Sequence, residues 1–378
     1  MKVLKILILS IALIFIFSIA ASATEKNAMS LYDDQLKSSG IESAEDSLPK
    51  QTKEMLDELG IQNVDFNSIF NTSPRKIIDL LINIIKGEMN SPLNSMAKIL
   101  GILILMALAN SFIASGEKEM LATNIVCGAF ILIIIISPLT SAISGAVSSV
   151  SALSSFMLVL IPILAGIITA SGNPLLALSF NSVAFASAQV VSQIIKNIVV
   201  PCTGVVMSMG TIGAMTTDFK LDEIAEIVKK VVVGAFSAIA TLFSAFLSIK
   251  GILANAADTV AAKGIKLAIS GAVPIVGSTL ADSYSSIIGS VSLVKSTVGV
   301  FGIGCVLLIS APIIIELTMW SLGLKLLSAC SEMFGIEGLG SMFKAVSSGL
   351  SLLNVCLIFN MFLMIITLGI TLAIKVGV

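Results

Sequence analysis

Residues 268–282 read AISGAVPIVGSTLAD, a stretch apolar enough for a membrane yet built against a straight helix. Gly271, Pro274 and Gly277 fall within seven residues. A proline there removes a backbone donor, and its ring clashes with the preceding turn. In hydrocarbon a carbonyl freed in this way must find a partner. Non-helical backbone at membrane depth therefore persists only where protein buries it or a water-filled cavity reaches it. The stretch predicts a broken segment held inside a helical bundle, away from lipid.

The rest of the chain agrees with a membrane setting. Of 378 residues, 56% are hydrophobic and 12% charged, against roughly 25% charged in soluble domains, and mean hydropathy is +1.05. Formal net charge is −1. Acidic residues outnumber basic ones before residue 96, and the balance reverses after it. No basic stripe marks a nucleic-acid surface. The chain has no histidine, which removes the commonest general base, proton shuttle and transition-metal ligand. The five cysteines, Cys127, Cys202, Cys305, Cys330 and Cys356, stand singly in apolar segments. That pattern fits neither a disulfide framework nor a CxxC metal site, and it reads as small buried side chains.

At the N-terminus Lys2 and Lys5 precede the apolar run Ile6–Ile19, and Ala21-Ser22-Ala23 follows as a signal-peptidase pattern. Residues 1–23 thus read as a signal peptide cleaved after Ala23; the alternative is an uncleaved anchor helix. On either reading Thr24 begins outside the cytoplasm. Residues 24–91 are an extracytoplasmic region whose first part, to residue 48, lacks apolar periodicity and reads as a flexible lead-in. Two short amphipathic helices follow. One runs from Pro49 to Leu59 with Gly60 as its stop, and the other from Pro74, capped by Ser73, to Lys86 with Gly87 as its stop. The second could lie on a membrane surface or pack against another helix.

From Pro92 to the C-terminus the chain is a multi-span membrane domain of about seven to nine apolar segments. The candidates are 92–114, 121–143, 150–170, 175–195, 198–217, 231–249, 298–327 and 352–375, each long enough for a hydrocarbon core of about 30 Å. Segment 175–195 carries Ser179, Asn181, Ser182, Ser187, Gln189, Ser192 and Gln193, hydroxyls and amides that must face other helices or water. Pro201 follows with Gly204, Gly210 and Gly213, so this pair could form a re-entrant hairpin instead of two crossings. Residues 218–230 hold seven charges in thirteen positions. Phe219, Leu221, Ile224, Ile227 and Val228 form an apolar side, which makes this the best candidate partner-docking helix; a solvated connector is the alternative. Residues 328–351 read as a polar, Gly-rich connector. Lysines balance on the two sides of every topology, so the positive-inside rule does not fix the orientation.

Glu316 lies inside the long apolar run 298–327. A carboxylate there costs roughly 3 kcal/mol on insertion scales and normally meets a cavity, a cation or a proton path. Together with Gly271, Pro274, Gly277 and Asp282 it forms the candidate pore or packing motif. There is no G-x-S-x-G elbow, no Walker A pair and no H-E-x-x-H. Gly299, Gly302 and Gly304 follow no strand and are expected to let helices approach closely. The chain therefore reads as no enzyme, with no cofactor and no metal. The fold class is an all-α polytopic transmembrane bundle with broken or re-entrant segments. Two functions fit that fold: a membrane subunit of an envelope-spanning machine, or an autonomous secondary transporter with a midplane site at broken helices around Pro201 and Pro274.

Gly271-Ala272-Val273-Pro274-Ile275-Val276-Gly277, with Leu280 and Asp282, resembles the stage III sporulation protein AE family of endospore-forming bacteria, and the order of elements agrees over most of the chain. The resemblance implies a mother-cell protein in the membrane around the engulfed forespore. Its implied partners are the other stage III sporulation A proteins, namely an ATPase of secretion type, ring-forming proteins and small membrane subunits. Stage II sporulation protein Q is implied indirectly, from the forespore side, and a homo-oligomer stays open. The implied assembly is a channel or secretion-like apparatus that sustains late forespore gene expression. The resemblance carries over no catalytic residue.

Overall fold

The computed structural model describes residues 26–112, 117–213, 227–228, 230–239, 241–243, 245 and 277–373. These residues are helical throughout apart from short turns. Among the described residues five helices are long and apolar enough to cross a membrane, as expected for an all-α membrane bundle. The signal-peptide residues, Ala21 and Ala23 among them, lie outside the described residues.

Four short helices come first: α1 (Lys26–Ser38), α2 (Ile41–Asp46), α3 (Lys50–Leu59) and α4 (Phe66–Phe70). The lead-in expected to be flexible forms α1 and α2, and the correction has a physical cause. Five of its apolar residues, Tyr32, Leu36, Ile41, Ala44 and Leu48, are buried in the main core, so tertiary packing supplies what local periodicity lacks. α3 stops where expected. Gly60 takes φ 84°, and Ile61 N donates to Leu56 O at 2.9 Å, the bond of a left-handed C-terminal cap. Asp65 caps α4 by accepting from Ser68 N at 2.8 Å.

α5 (Pro74–Phe112) begins at the expected proline but does not stop at Gly87; it continues through Pro92 for 39 residues. Gly87 keeps a negative φ. The buried stripe Leu80, Ile84, Pro92, Ile99, Leu103 and Met106 runs past both residues, so packing outweighs the roughly 1 and 3 kcal/mol helix penalties of glycine and proline. The same merging makes α6 (Glu117–Ala170) one helix where two spans were expected, despite Pro138 and Pro162. A left-handed Gly172 (φ 86°) then turns the chain, and α7 (Pro174–Ile194) starts on a proline.

Pro201 makes no hairpin. A π-helical turn, Ile195–Val199, leads directly into α8 (Val200–Gly213). Proline cannot donate to the carbonyl four residues back, and a widened turn just before it absorbs that mismatch while the axis runs on. α9 (Gly277–Met333) contains Pro312 and spans 57 residues. The expected connector 328–351 is in fact a three-residue turn, Phe334–Ile336, between α9 and α10 (Glu337–Ala373). Gly335 (φ 74°) and the bond from Ser331 Oγ to Ile336 O close it. Among the described residues the long apolar helices number five, because prolines and glycines are absorbed inside packed helices; the expected span 231–249 lies partly outside the described residues. At 1.5 Å per residue α6 and α9 are about 81 and 86 Å long, far beyond a core of about 30 Å.

α9 is the centre of the bundle. Its most apolar stretch is 72% buried, against 22–50% in the other four long helices. α6 runs antiparallel to it, with Gly145 beside Ile313, Ser149 Oγ donating to Ile309 O at 3.0 Å and Phe156 edge-on to Phe301. α5 runs parallel to α9: Ile84 shares a cluster with Ile315, and twelve residues on, Met96 lies over Gly323. α10 returns along α9 on a seam of small polar groups. Asn354 Nδ2 donates to Thr318 Oγ1 at 2.8 Å, Ser347 Oγ to Ser321 O at 2.8 Å and Ser328 Oγ to Gly340 O at 2.8 Å.

Candidate functional site

Gly277 and Asp282 stand at the start of α9, and Glu316 stands in its second half on the same continuous helix. The helix separates Asp282 from Glu316 by about 50 Å along its axis, so the two are not brought together. Gly271 and Pro274 lie outside the described residues, as do Phe219, Leu221 and Ile224 of the candidate docking helix. Of that helix, Ile227 and Val228 are described; Ile227 is 59% exposed and Val228 half-buried.

Glu316 is half-buried on the side of α9 that meets α5. Its neighbours Ile315 and Met319 pack with Leu80 and Ile84 of α5 and with Met55 and Leu59 of α3. The parallel register brings Glu88 of α5 to the same level. One turn further along α9, Trp320 is fully buried. Its indole lies against Glu316, while Nε1 has no partner in hydrogen-bond geometry.

Sequence reading missed Glu88 because it ended the helix at Gly87. The signal was available, since Glu88 continues the buried positions Leu80 and Ile84 at intervals of four. A second feature was also missed. Ser137, Thr140, Ser141, Ser144 and Ser148 are exposed along one face of α6 and line an open groove of about 540 Å³. The apolar residues Phe130, Ile133 and Ile136 continue that exposed face toward the N-terminus of α6. Serines at 137, 141, 144, 148, 151 and 155 alternate four- and three-residue steps, the spacing of a helix seam.

The expected close approaches at glycine hold at two of three positions. A Cβ at Gly299 would lie 2.5 Å from Leu372 Cδ2, and one at Gly302 would lie 2.6 Å from Leu160 Cδ2; Gly304 has nothing within 4 Å. Outside the spans, α1 is fastened to α9. Tyr32 OH donates to Thr297 Oγ1 at 3.1 Å, and Ser290 Oγ to Gln35 Oε1 at 2.8 Å. Burial pushes the Tyr32 hydroxyl above its usual range. Burial likewise raises the Glu45 carboxyl, although Glu45 Oε1 accepts from Val64 N at 3.1 Å. Among the described residues no three His, Cys, Asp or Glu side chains converge to hold a metal ion, and the five cysteines are free.

The family model for stage III sporulation protein AE matches residues 58–375. The chain belongs to the stage III sporulation protein AE family. The match takes in all five long helices, with both Glu88 and Glu316, and leaves α1, α2 and nearly all of α3 outside it. A curated relative, stage III sporulation protein AE of Bacillus subtilis (strain 168), is 25% identical over 244 residues. That alignment covers 63% of this chain and 61% of the relative. No solved structure matches the chain. Membership carries a role in sporulation.

Proposed function

We propose that the chain is a multi-pass membrane subunit of the channel or secretion-like complex linking mother cell and forespore, needed for late forespore gene expression. The family match over residues 58–375 carries this reading. Its place is the mother-cell membrane around the forespore, with residues 24–91 outside the cytoplasm after a signal peptide, residues 1–23, is removed. Its partners are the other stage III sporulation A proteins, namely the ATPase, the ring-forming proteins and the small membrane subunits, with stage II sporulation protein Q reached indirectly. Phe219, Leu221, Ile224, Ile227 and Val228 offer a docking side for one of them, and the 59% exposure of Ile227 supports that use. Gly271, Pro274, Gly277, Asp282 and Glu316 are its pore or packing residues.

An autonomous secondary transporter is the second reading. It needs paired broken helices lining one midplane site. Around Pro201 the helix runs on through a π-helical turn, which favours the subunit reading. Deletion of the chain in an endospore-forming host, followed by a late forespore reporter, tests the proposal. Loss of reporter activity, restored by the full-length chain, is expected; normal late expression without the chain overturns it. The conduction role is tested separately with Pro274→Leu and Glu316→Gln. Both should block late expression at unchanged protein level, and normal sporulation in both would remove those residues from any path.

A further inference from the structure

Three exposed lysines, one each on α5, α9 and α10, stand at one height of the bundle. Met96 of α5 lies over Gly323 of α9, which sets Lys98 level with Lys325. Ser347 of α10 donates to Ser321 O, and Ser328 of α9 donates to Gly340 O, so Lys344 belongs to the same level. Lys344 reaches Glu332 at 3.6 Å, whereas Lys98 and Lys325 have no ion pair among the described residues. α6 is antiparallel to α9 with Gly145 beside Ile313. Eight residues before Gly145, Ser137 therefore comes within one turn of the lysines.

The outer surface changes character at this height. From residue 288 to 321 no residue of α9 is exposed, and exposure begins at Leu322. Beyond the lysines the exposed side chains are apolar: Leu105 and Leu108 on α5, Val126 and Phe130 on α6, Leu326 and Met333 on α9. Before them α6 exposes its serine face, and α5 exposes Arg75, Asp79 and Lys86. Leu178 and Val190 of α7, apolar and exposed on that side, line a groove with Ile239 and Phe243, so protein already reaches that face. Length agrees as well. From Glu119 to Ser137 α6 runs eighteen residues with no charge between, about 27 Å, close to a hydrocarbon core of about 30 Å. We propose that Lys98, Lys325 and Lys344 form a collar for the phosphate groups of anionic phospholipids, and that hydrocarbon covers the bundle only from this collar to the α5–α6 end. Lysine stems lie along the apolar belt while their ammonium groups meet phosphate. The α9–α10 turn then ends within the bilayer, with its backbone closed by Gly335 N to Glu332 O and Ile336 N to Ser331 O. The serine face, α1 and α3 stand clear of hydrocarbon.

Two measurements on the purified full-length protein test this. The first places the protein in vesicles of phosphatidylcholine and phosphatidylglycerol, generates hydroxyl radicals by radiolysis of the water, and locates oxidised residues by peptide mass spectrometry. Ile78 and Ile82, 56% and 41% exposed, lie on the water side of the collar and should be oxidised, whereas Leu105, Leu108 and Phe130 should be protected. Protection of Ile78 and Ile82, or oxidation of Leu105, Leu108 and Phe130, overturns the placement. The second follows thermal unfolding in detergent with added phosphatidylglycerol, phosphatidylcholine or inorganic phosphate. Phosphatidylglycerol alone should raise the midpoint. The rise should be lost when Lys98→Gln and Lys325→Gln are combined and kept in Lys50→Gln, a change at an exposed lysine of α3. No rise with phosphatidylglycerol, an equal rise with phosphatidylcholine or inorganic phosphate, or a rise undiminished in the double variant overturns the collar. The wild-type readings decide even if a variant misfolds, and either outcome leaves the sporulation role to its own test.

Discussion

Alanine at three glycines of one helix should change stability in opposite directions. At Gly304 the new methyl meets nothing within 4 Å, so Gly304→Ala should stabilise by about 0.5–1 kcal/mol through lost unfolded-state freedom. At Gly299 the Cβ would sit 2.5 Å from Leu372 Cδ2 and 2.8 Å from its Cγ. Carbon atoms rest at about 3.5–4.0 Å, so α9 and α10 must part by about 1 Å. Cγ is the branch carbon, which no rotation of the chain end removes. Overpacking of this kind costs about 1–3 kcal/mol, leaving Gly299→Ala a net loss of up to about 2 kcal/mol after the helix-propensity gain of about 1 kcal/mol. Gly302→Ala meets only methyl ends, at 2.6 Å from Leu160 and 3.2 Å from Leu368, and should fall between the two. The assay is thermal unfolding of the purified full-length protein in one detergent, followed by far-ultraviolet circular dichroism. The expected order of midpoints is Gly304→Ala above wild type, then Gly302→Ala, then Gly299→Ala. A rise for Gly299→Ala equal to that of Gly304→Ala would refute the packing of α9 against α10.

Tyr32→Phe removes the bond to Thr297 and should cost about 0.5–1.5 kcal/mol, read as faster proteolytic release of α1 while the five long helices stay protected. Glu45→Gln tests a pH dependence. Burial raises the Glu45 carboxyl, so its contribution to stability is full below the ordinary carboxylate range and is lost as pH rises through the raised value. Wild type should therefore lose stability across that window, and the variant should not, because glutamine still accepts from Val64 N. Equal slopes of midpoint against pH in the two proteins would dismiss the assignment.

Much of this fold was legible in the sequence. The helix start at Pro74, the stop at Gly60 and the close approaches at Gly299 and Gly302 all follow from the local chemistry of those residues. Helix ends at Gly87, Pro201 and Ser328 were misread for one reason. Within a packed bundle, tertiary contacts hold glycine and proline inside helices that local rules would end. The same limit hid α1 and α2: Tyr32 and Leu36, then Ile41, Ala44 and Leu48, hold helical spacing, but each pattern is short and the left-handed Gly40 divides them. At the site, Glu316 was legible as a carboxylate in an apolar run and Glu88 as the next step of the Leu80 and Ile84 stripe, whereas their common level required the parallel register of α5 and α9. A register between helices more than 200 residues apart leaves no trace in a single sequence.

The most direct measurement is affinity isolation of a tagged copy from crosslinked sporulating cells, with the co-purifying proteins identified and quantified. Recovery of the sporulation ATPase and ring-forming proteins in fixed proportion to the tagged chain is the expected result. Recovery of the chain alone, as a monomer or homo-oligomer, would contradict its role as a subunit of that complex.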